Sequence, residues 1–132
     1  MKQIYVFTIF LLLSTVLDAK IFPEKLTCEY HKDPQVLDVL NPRLSWINTA
    51  SENMRGEAQT ALEIRVAGSM GLLLSGKADL WNSGKILSRE SVNIRYAGKP
   101  LSSRQDCWWQ VRVWDKNGNV SEWSEPAFWS MG

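Results

Sequence analysis

Between Cys107 and Trp129 the chain carries five of its seven tryptophans, on two segments joined by Lys116-Asn117-Gly118-Asn119. Asn and Gly tolerate the positive φ that tight hairpin turns require, so this link predicts a β-hairpin. In the first segment, Cys107–Asp115, the residues Cys107, Trp109, Val111 and Val113 fall on one face and are all apolar. Trp108, Gln110, Arg112 and Trp114 fall on the other. Side chains alternate across a strand, so the first set points into a core and the second points away from it. A tryptophan buries about 150–250 Å², enough for this hairpin to anchor a packed core and still leave aromatic surface outside it.

The rest of the chain repeats short strand patterns broken by turn chemistry. Lys25–Tyr30, Arg43–Ile47, Gln59–Ala67, Leu80–Leu87 (broken at Gly84) and Ser91–Tyr96 precede the hairpin strands at Cys107–Asp115 and Val120–Trp129. The clearest is Gln59–Ala67, where Leu62, Ile64 and Val66 alternate with Glu63 and Arg65. Asn48–Glu57 reads as a polar loop, and Met70–Leu74 as one helical turn kept short by Gly71 and Gly76. About seven strands, few helices and Gly/Pro/Asn punctuation predict an all-β, antiparallel two-sheet sandwich of fibronectin type III or immunoglobulin kind. There are no internal repeats and nothing marks a second folded domain.

The N-terminus carries Lys2, an apolar run from Ile4 to Leu17 and a small residue at Ala19. The pattern predicts a secretory signal peptide over residues 1–19 and a mature domain over 20–132. An uncleaved anchor is the alternative, but the run is shorter than the ~20 residues a membrane span needs. Export would place the domain in the periplasm, at the cell surface or outside the cell, with no membrane span after cleavage. There Cys28 and Cys107 are free to pair, although two small buried free thiols are the favoured reading, since free Cys is among the most buried residue types.

Fifteen Lys and Arg stand against 14 Asp and Glu, scattered along the chain. That balance gives no footprint for nucleic acid and no polybasic stripe for a membrane surface. The single histidine, His31, has no partnered nucleophile in the sequence, and His and Cys are too few for a zinc site. No catalytic residue, metal or cofactor is expected. Asn119-Val-Ser121 fits the N-glycosylation triplet, which also arises by chance.

The expected functional surface is aromatic. Trp81, Trp108, Trp114 and Trp129 are read as outward, with Gln110 and Arg112 beside them. Such a patch serves either as a docking face for a neighbouring protein domain or as a platform for sugar rings. Plain packing at a sheet edge is the third option. Trp123 is expected to stack on Arg112, because Val120-Ser-Glu-Trp-Ser124 is similar to the Trp-Ser-x-Trp-Ser box of cytokine-receptor domains, in which indoles interleave with arginines. On that similarity alone an adhesion domain is a further reading.

Leu101 followed by Cys107, Trp109, Val111 and Val113 resembles a fibronectin type III strand, with Cys107 where that family has its corner tyrosine. Several further segments occur in one order: Leu26-Thr-Cys-Glu-Tyr30, Asn41-Pro-Arg-Leu-Ser-Trp46, Gln59-Thr-Ala61, Asp79-Leu-Trp-Asn-Ser-Gly-Lys85, Tyr96-Ala-Gly-Lys-Pro-Leu101, Cys107–Asp115 and Ser121–Trp129. Together they resemble the N-terminal fibronectin/immunoglobulin-like domain of bacterial α-L-rhamnosidases of glycoside hydrolase family 78. Gly68-Ser-Met-Gly-Leu-Leu-Leu74 departs from the more polar loop expected there. The resemblance implies an accessory module whose partners are the downstream domains of such an enzyme. The catalytic carboxylates would lie in a separate barrel, so none transfers to this chain. A rhamnose-containing glycan is the alternative partner.

Overall fold

The computed structural model describes residues 19–50 and 58–132. The expected leader lies outside the described residues except for Ala19, and so does the loop over residues 51–57. Eight strands and one short helix follow in order: β1 (Ile21–Cys28), β2 (Arg43–Ala50), β3 (Ala61–Ala67), α1 (Met70–Leu74), β4 (Trp81–Asn82), β5 (Ile86–Leu87), β6 (Ile94–Arg95), β7 (Asp106–Trp114) and β8 (Ala127–Ser130). They form two antiparallel sheets. One is three-stranded, β1-β2-β6; the other is five-stranded, β4-β3-β7-β8, with β5 also on β3.

The apolar alternation read from the sequence is the core. Leu62, Ile64 and Val66 of β3 and Cys107, Trp109, Val111 and Val113 of β7 are buried, facing Ile21, Leu26, Leu44 and Trp46 of the other sheet. β1 is longer toward its N-terminus than expected and stops at Cys28. Glu29 and Tyr30 both have positive φ, and Cys28 and His31 exchange backbone hydrogen bonds across that turn. β2 runs on to Ala50, three residues past its expected end. α1 sits on the expected residues: the Ser69 hydroxyl accepts from Leu72 N at its start, and Gly76 at φ +78° follows its end.

Cys107 takes the place of a corner tyrosine, and Tyr96 does the corner's work instead. Its buried hydroxyl lies 2.6 Å from Lys99 O and 3.2 Å from Leu80 O, tying the segment before β4 to the loop after β6. Burial raises the Tyr96 phenol to about 12. Cys28 and Cys107 are separate, buried thiols in the same core cluster, and burial foremost pushes each up to about 12.

Asp115 closes the hairpin. Its Oδ1 accepts from Asn117 N (2.9 Å) and Asn119 N (3.0 Å), and its Oδ2 from Lys20 N (3.2 Å). Burial pushes this carboxyl up, but the N–H groups of Asn119, Lys20 and Asn117 outweigh it and hold the group below its ordinary 3.8. A group depressed on folding stabilises the fold above its unfolded value and loses that contribution as pH falls through the folded one. Acid melts of the parent should therefore decline below about pH 4 more steeply than those of Asp115→Ala. The variant should be less stable at neutral pH by about 1–3 kcal/mol. Parallel acid limbs in thermal melts from pH 6 to pH 2 would show that the carboxylate is not stabilising the fold.

Candidate contact face

The outer face of the five-stranded sheet is built by register. Glu63 pairs with Arg112, Arg65 with Gln110, and Ala61 with Trp114 across β3 and β7. Directly opposed residues share a face, so the polar positions of both strands meet on the solvent side. Arg112 Nε donates to Glu63 Oε1 at 2.6 Å. Arg65 donates through Nε and Nη2 to Gln110 Oε1, and Gln110 Nε2 donates to Ser124 O. Gln110, expected as an outward contact residue, is thereby buried beneath this network.

Residues 121–127 supply the covering layer, with a repeat of three rather than two. Ser121, Ser124 and Ala127 are buried, and the residues between them are half-buried or exposed. Three residues per turn is the period of an extended polyproline II chain, which suits Pro126. Each serine clamps β7 twice. Ser121 N donates to Val113 O and its hydroxyl accepts from Val113 N; Ser124 does the same with Val111. Three residues of this segment therefore span two of β7, which holds Trp123 over the sheet.

The Trp123 indole has two guanidiniums over it, Arg65 at 4.0 Å and Arg112 at 4.6 Å from the ring centroid. Arg112 also lies 5.4 Å from the Trp114 ring, and Lys85 Nζ 4.9 Å from it. The sequence pointed to Arg112 for Trp123. Arg65 was legible only as an outward residue of β3, and Lys85 carried no signal at all. Burial and the neighbouring Arg112 charge lower the Arg65 pKa. The carboxylate of Glu63 and the three indole and guanidinium stacks offset that crowding at about 0.5–1 kcal/mol per stack.

Trp108 stands apart from this ladder at the other end of β7, tilted against Phe128 with ring centroids 4.8 Å apart. Two expected outward residues face the other way. Trp129 is fully buried opposite Cys107, because the three-residue repeat ends at Ala127 and β8 resumes alternation with Ala127, Trp129 and Met131 inward. Trp81 pairs with inward-facing Val66 and packs edge-on against Tyr96 at 5.4 Å, so it borders the core. Trp129 belongs to the sandwich interior, and half-buried Trp81 to its border.

Two clefts open along the seam between β1 and residues 121–127. One, of about 610 Å³, lies beside Lys25, Leu26, Lys32, Asp33, Glu125 and Pro126. The other, of about 370 Å³, is bordered by Phe22, Glu122 and Trp123. His31 is exposed at its turn. Among the described residues no cluster of His, Cys, Asp and Glu could hold a metal ion, and no helix is long and apolar enough to cross a membrane.

The family model for the Rha78A-like, N-terminal immunoglobulin domain matches residues 23–132. A curated α-L-rhamnosidase of Streptomyces avermitilis is 44% identical over 104 residues, covering 79% of this chain and 10% of its own length. The crystal structure of Streptomyces avermitilis α-L-rhamnosidase complexed with L-rhamnose superimposes with a TM-score of 0.78 at 41% identity, over 85% of this chain and 10% of that one. The structure of α-L-rhamnosidase from Dictyoglumus thermophilum gives 0.78 at 33% identity, over 84% and 12%. The chain spans about a tenth of the length of these relatives.

Proposed function

The chain belongs to the family of Rha78A-like, N-terminal immunoglobulin domains, and from that premise we propose that it is a non-catalytic accessory module of an exported α-L-rhamnosidase. In this reading the module packs against downstream domains that release terminal rhamnose from polysaccharides or glycosides. The observation that carries it is the confinement of the match to an N-terminal domain a tenth as long as its relatives. The leader pattern over residues 1–19 supports export.

The surface favours protein contact over sugar. Trp123 and Trp114 already carry cations, and Trp129 and Trp81 face inward. That leaves Trp108 with Phe128 as an outward aromatic pair, with the Asp33 carboxylate accepting from Phe128 N beside it. The loop between β1 and β2 adds apolar surface, with Val36 68% and Leu40 66% exposed and Val39 beside them. Val36 sits at φ +61°, unusual for a β-branched residue, and Val36 N and Leu37 N are strapped to Ser130. Exposed apolar groups on a rigid, strained support fit a contact surface.

Purified chain should release no aglycone from aryl rhamnosides above the buffer rate, and sustained release would overturn the non-catalytic assignment. Titration with rhamnose-containing glycans should leave the tryptophan emission unchanged. A saturable shift that disappears in Trp108→Ala would replace docking by carbohydrate binding.

A further inference from the structure

Of the three backbone N–H groups on the Asp115 carboxylate, that of Lys20 comes from outside the hairpin, from the first residue after the expected leader. As an amide it donates a single proton, across 3.2 Å. Asp115 is fully buried and meets three backbone N–H groups, all neutral dipoles. Its backbone is equally committed, with Asp115 N donating to Asn119 O and Asp115 O accepting from the Thr60 hydroxyl. A cation at this position would pair with the carboxylate more strongly than a neutral amide does, and the chain has a chemical route to one at the atom already in contact.

We propose that removal of the leader after Ala19 converts Lys20 N into an α-ammonium group that pairs with the Asp115 carboxylate and locks β1 to the β7 hairpin. A leader peptidase adds one water across the Ala19–Lys20 amide bond. The carbonyl carbon keeps the hydroxyl and leaves as the Ala19 carboxylate, and the nitrogen gains the proton and takes a further one from solvent at neutral pH. Ala19 and Lys20 are both half-buried in the folded domain, and Ala19 N donates to Val120 O at 3.3 Å. Cleavage therefore precedes closure of this seam, and the new terminus is seated as the domain folds. The amide contact already has an ionised acceptor, and an ionised donor adds direct attraction between opposite charges to it. Processing thus strengthens the contact that joins the two sheets at the start of β1. The proposal rests on the export reading, and the experiment separates the two.

Four forms of the chain make the test: beginning at Lys20 or at Ala19, each with Asp115 and with Asp115→Asn. The form beginning at Lys20 should melt about 3–6 °C above the form beginning at Ala19, between the shifts that one strengthened contact gives smaller and larger domains. That advantage should vanish in the Asp115→Asn pair. Should Asp115→Asn not fold, acetylating the Lys20 α-amine in the parent removes the charge alone and should erase the same advantage. Equal melting of the Lys20, Ala19 and acetylated forms overturns the ion pair whatever happens to the leader. The chain produced with its own leader is then collected from the periplasm and medium and its mass measured. A mass beginning at Lys20 supports the processing step. A different first residue in exported chain overturns the cleavage position, and an unprocessed chain retained in the cell overturns the export reading itself.

Discussion

Trp129→Ala is expected to cost about 3–5 kcal/mol, the range for truncating a buried tryptophan. Domains of this size hold about 5–15 kcal/mol in all, so the variant should lose a large part of its cooperative unfolding transition. Trp129 has no exposed surface, pairs with Cys107 across β7 and β8, and meets Tyr96 edge-on at 5.8 Å. Removing the indole opens a cavity beside the tyrosine that holds the Lys99 corner, so lost packing and a loosened hydrogen bond add together. Trp108→Ala is the informative comparison. It removes a half-exposed ring whose contact is Phe128, worth about 0.5–1.5 kcal/mol beyond its buried area. Urea melts followed by far-UV dichroism separate the two. If Trp129→Ala and Trp108→Ala shift the midpoint equally, Trp129 is a surface residue and its inward placement is wrong.

The contrast between those two tryptophans shows where the sequence stops being readable. On β3 and β7 strict alternation told inside from outside, because both strands run flat against a core on one face only. Leu62, Ile64 and Val66, with Trp109, Val111 and Val113, are all buried as that rule requires. Trp129 escaped because the rule was carried through residues 121–127, where the period is three. Ser121 and Ser124, which set that period by clamping Val113 and Val111, are too common a residue type to announce it. Trp81 escaped for another reason. β4 is two residues long, and its facing is decided by register with Val66 on a strand 15 positions earlier. The Trp123–Arg112 stack was legible from the resemblance to an arginine-interleaved box. Arg65 joins the same ring because Glu63 and Arg65 of β3 lie opposite Arg112 and Gln110 of β7, a register that no local pattern encodes. The N-terminal half of β1 is hard to read because Ile21 and Phe22 follow closely on the apolar run from Ile4 to Leu17.

Gly98→Ala should be the most damaging single-methyl change in the domain. A Cβ there would lie 2.4 Å from Leu80 O and from Trp81 Cβ, and 2.6 Å from the Tyr96 hydroxyl. None of the three can step aside. Leu80 O accepts from Lys99 N, and Leu80 N donates to Val66 O. Trp81 Cβ is fixed by the pairing of β4 with β3, and the Tyr96 hydroxyl is held at Lys99 O. Overpacking usually costs about 1–3 kcal/mol, and with backbone on one side and a buried phenol on the other the cost should reach about 3 kcal/mol or more. Adding Tyr96→Phe removes the hydroxyl contact but leaves the two at 2.4 Å, so the double variant should recover only a small part of the loss. Gly71→Ala supplies the opposite case. Apart from its chain neighbours and the backbone of α1, no atom lies within 4 Å of its added Cβ, and replacing glycine by alanine in a helix gains about 0.5–1 kcal/mol. Denaturant midpoints should therefore fall well below the parent for Gly98→Ala and rise slightly above it for Gly71→Ala. A Gly98→Ala chain as stable as the parent would mean that the β6–β7 loop does not pass this close to Leu80, and the Tyr96 corner would have to be redrawn.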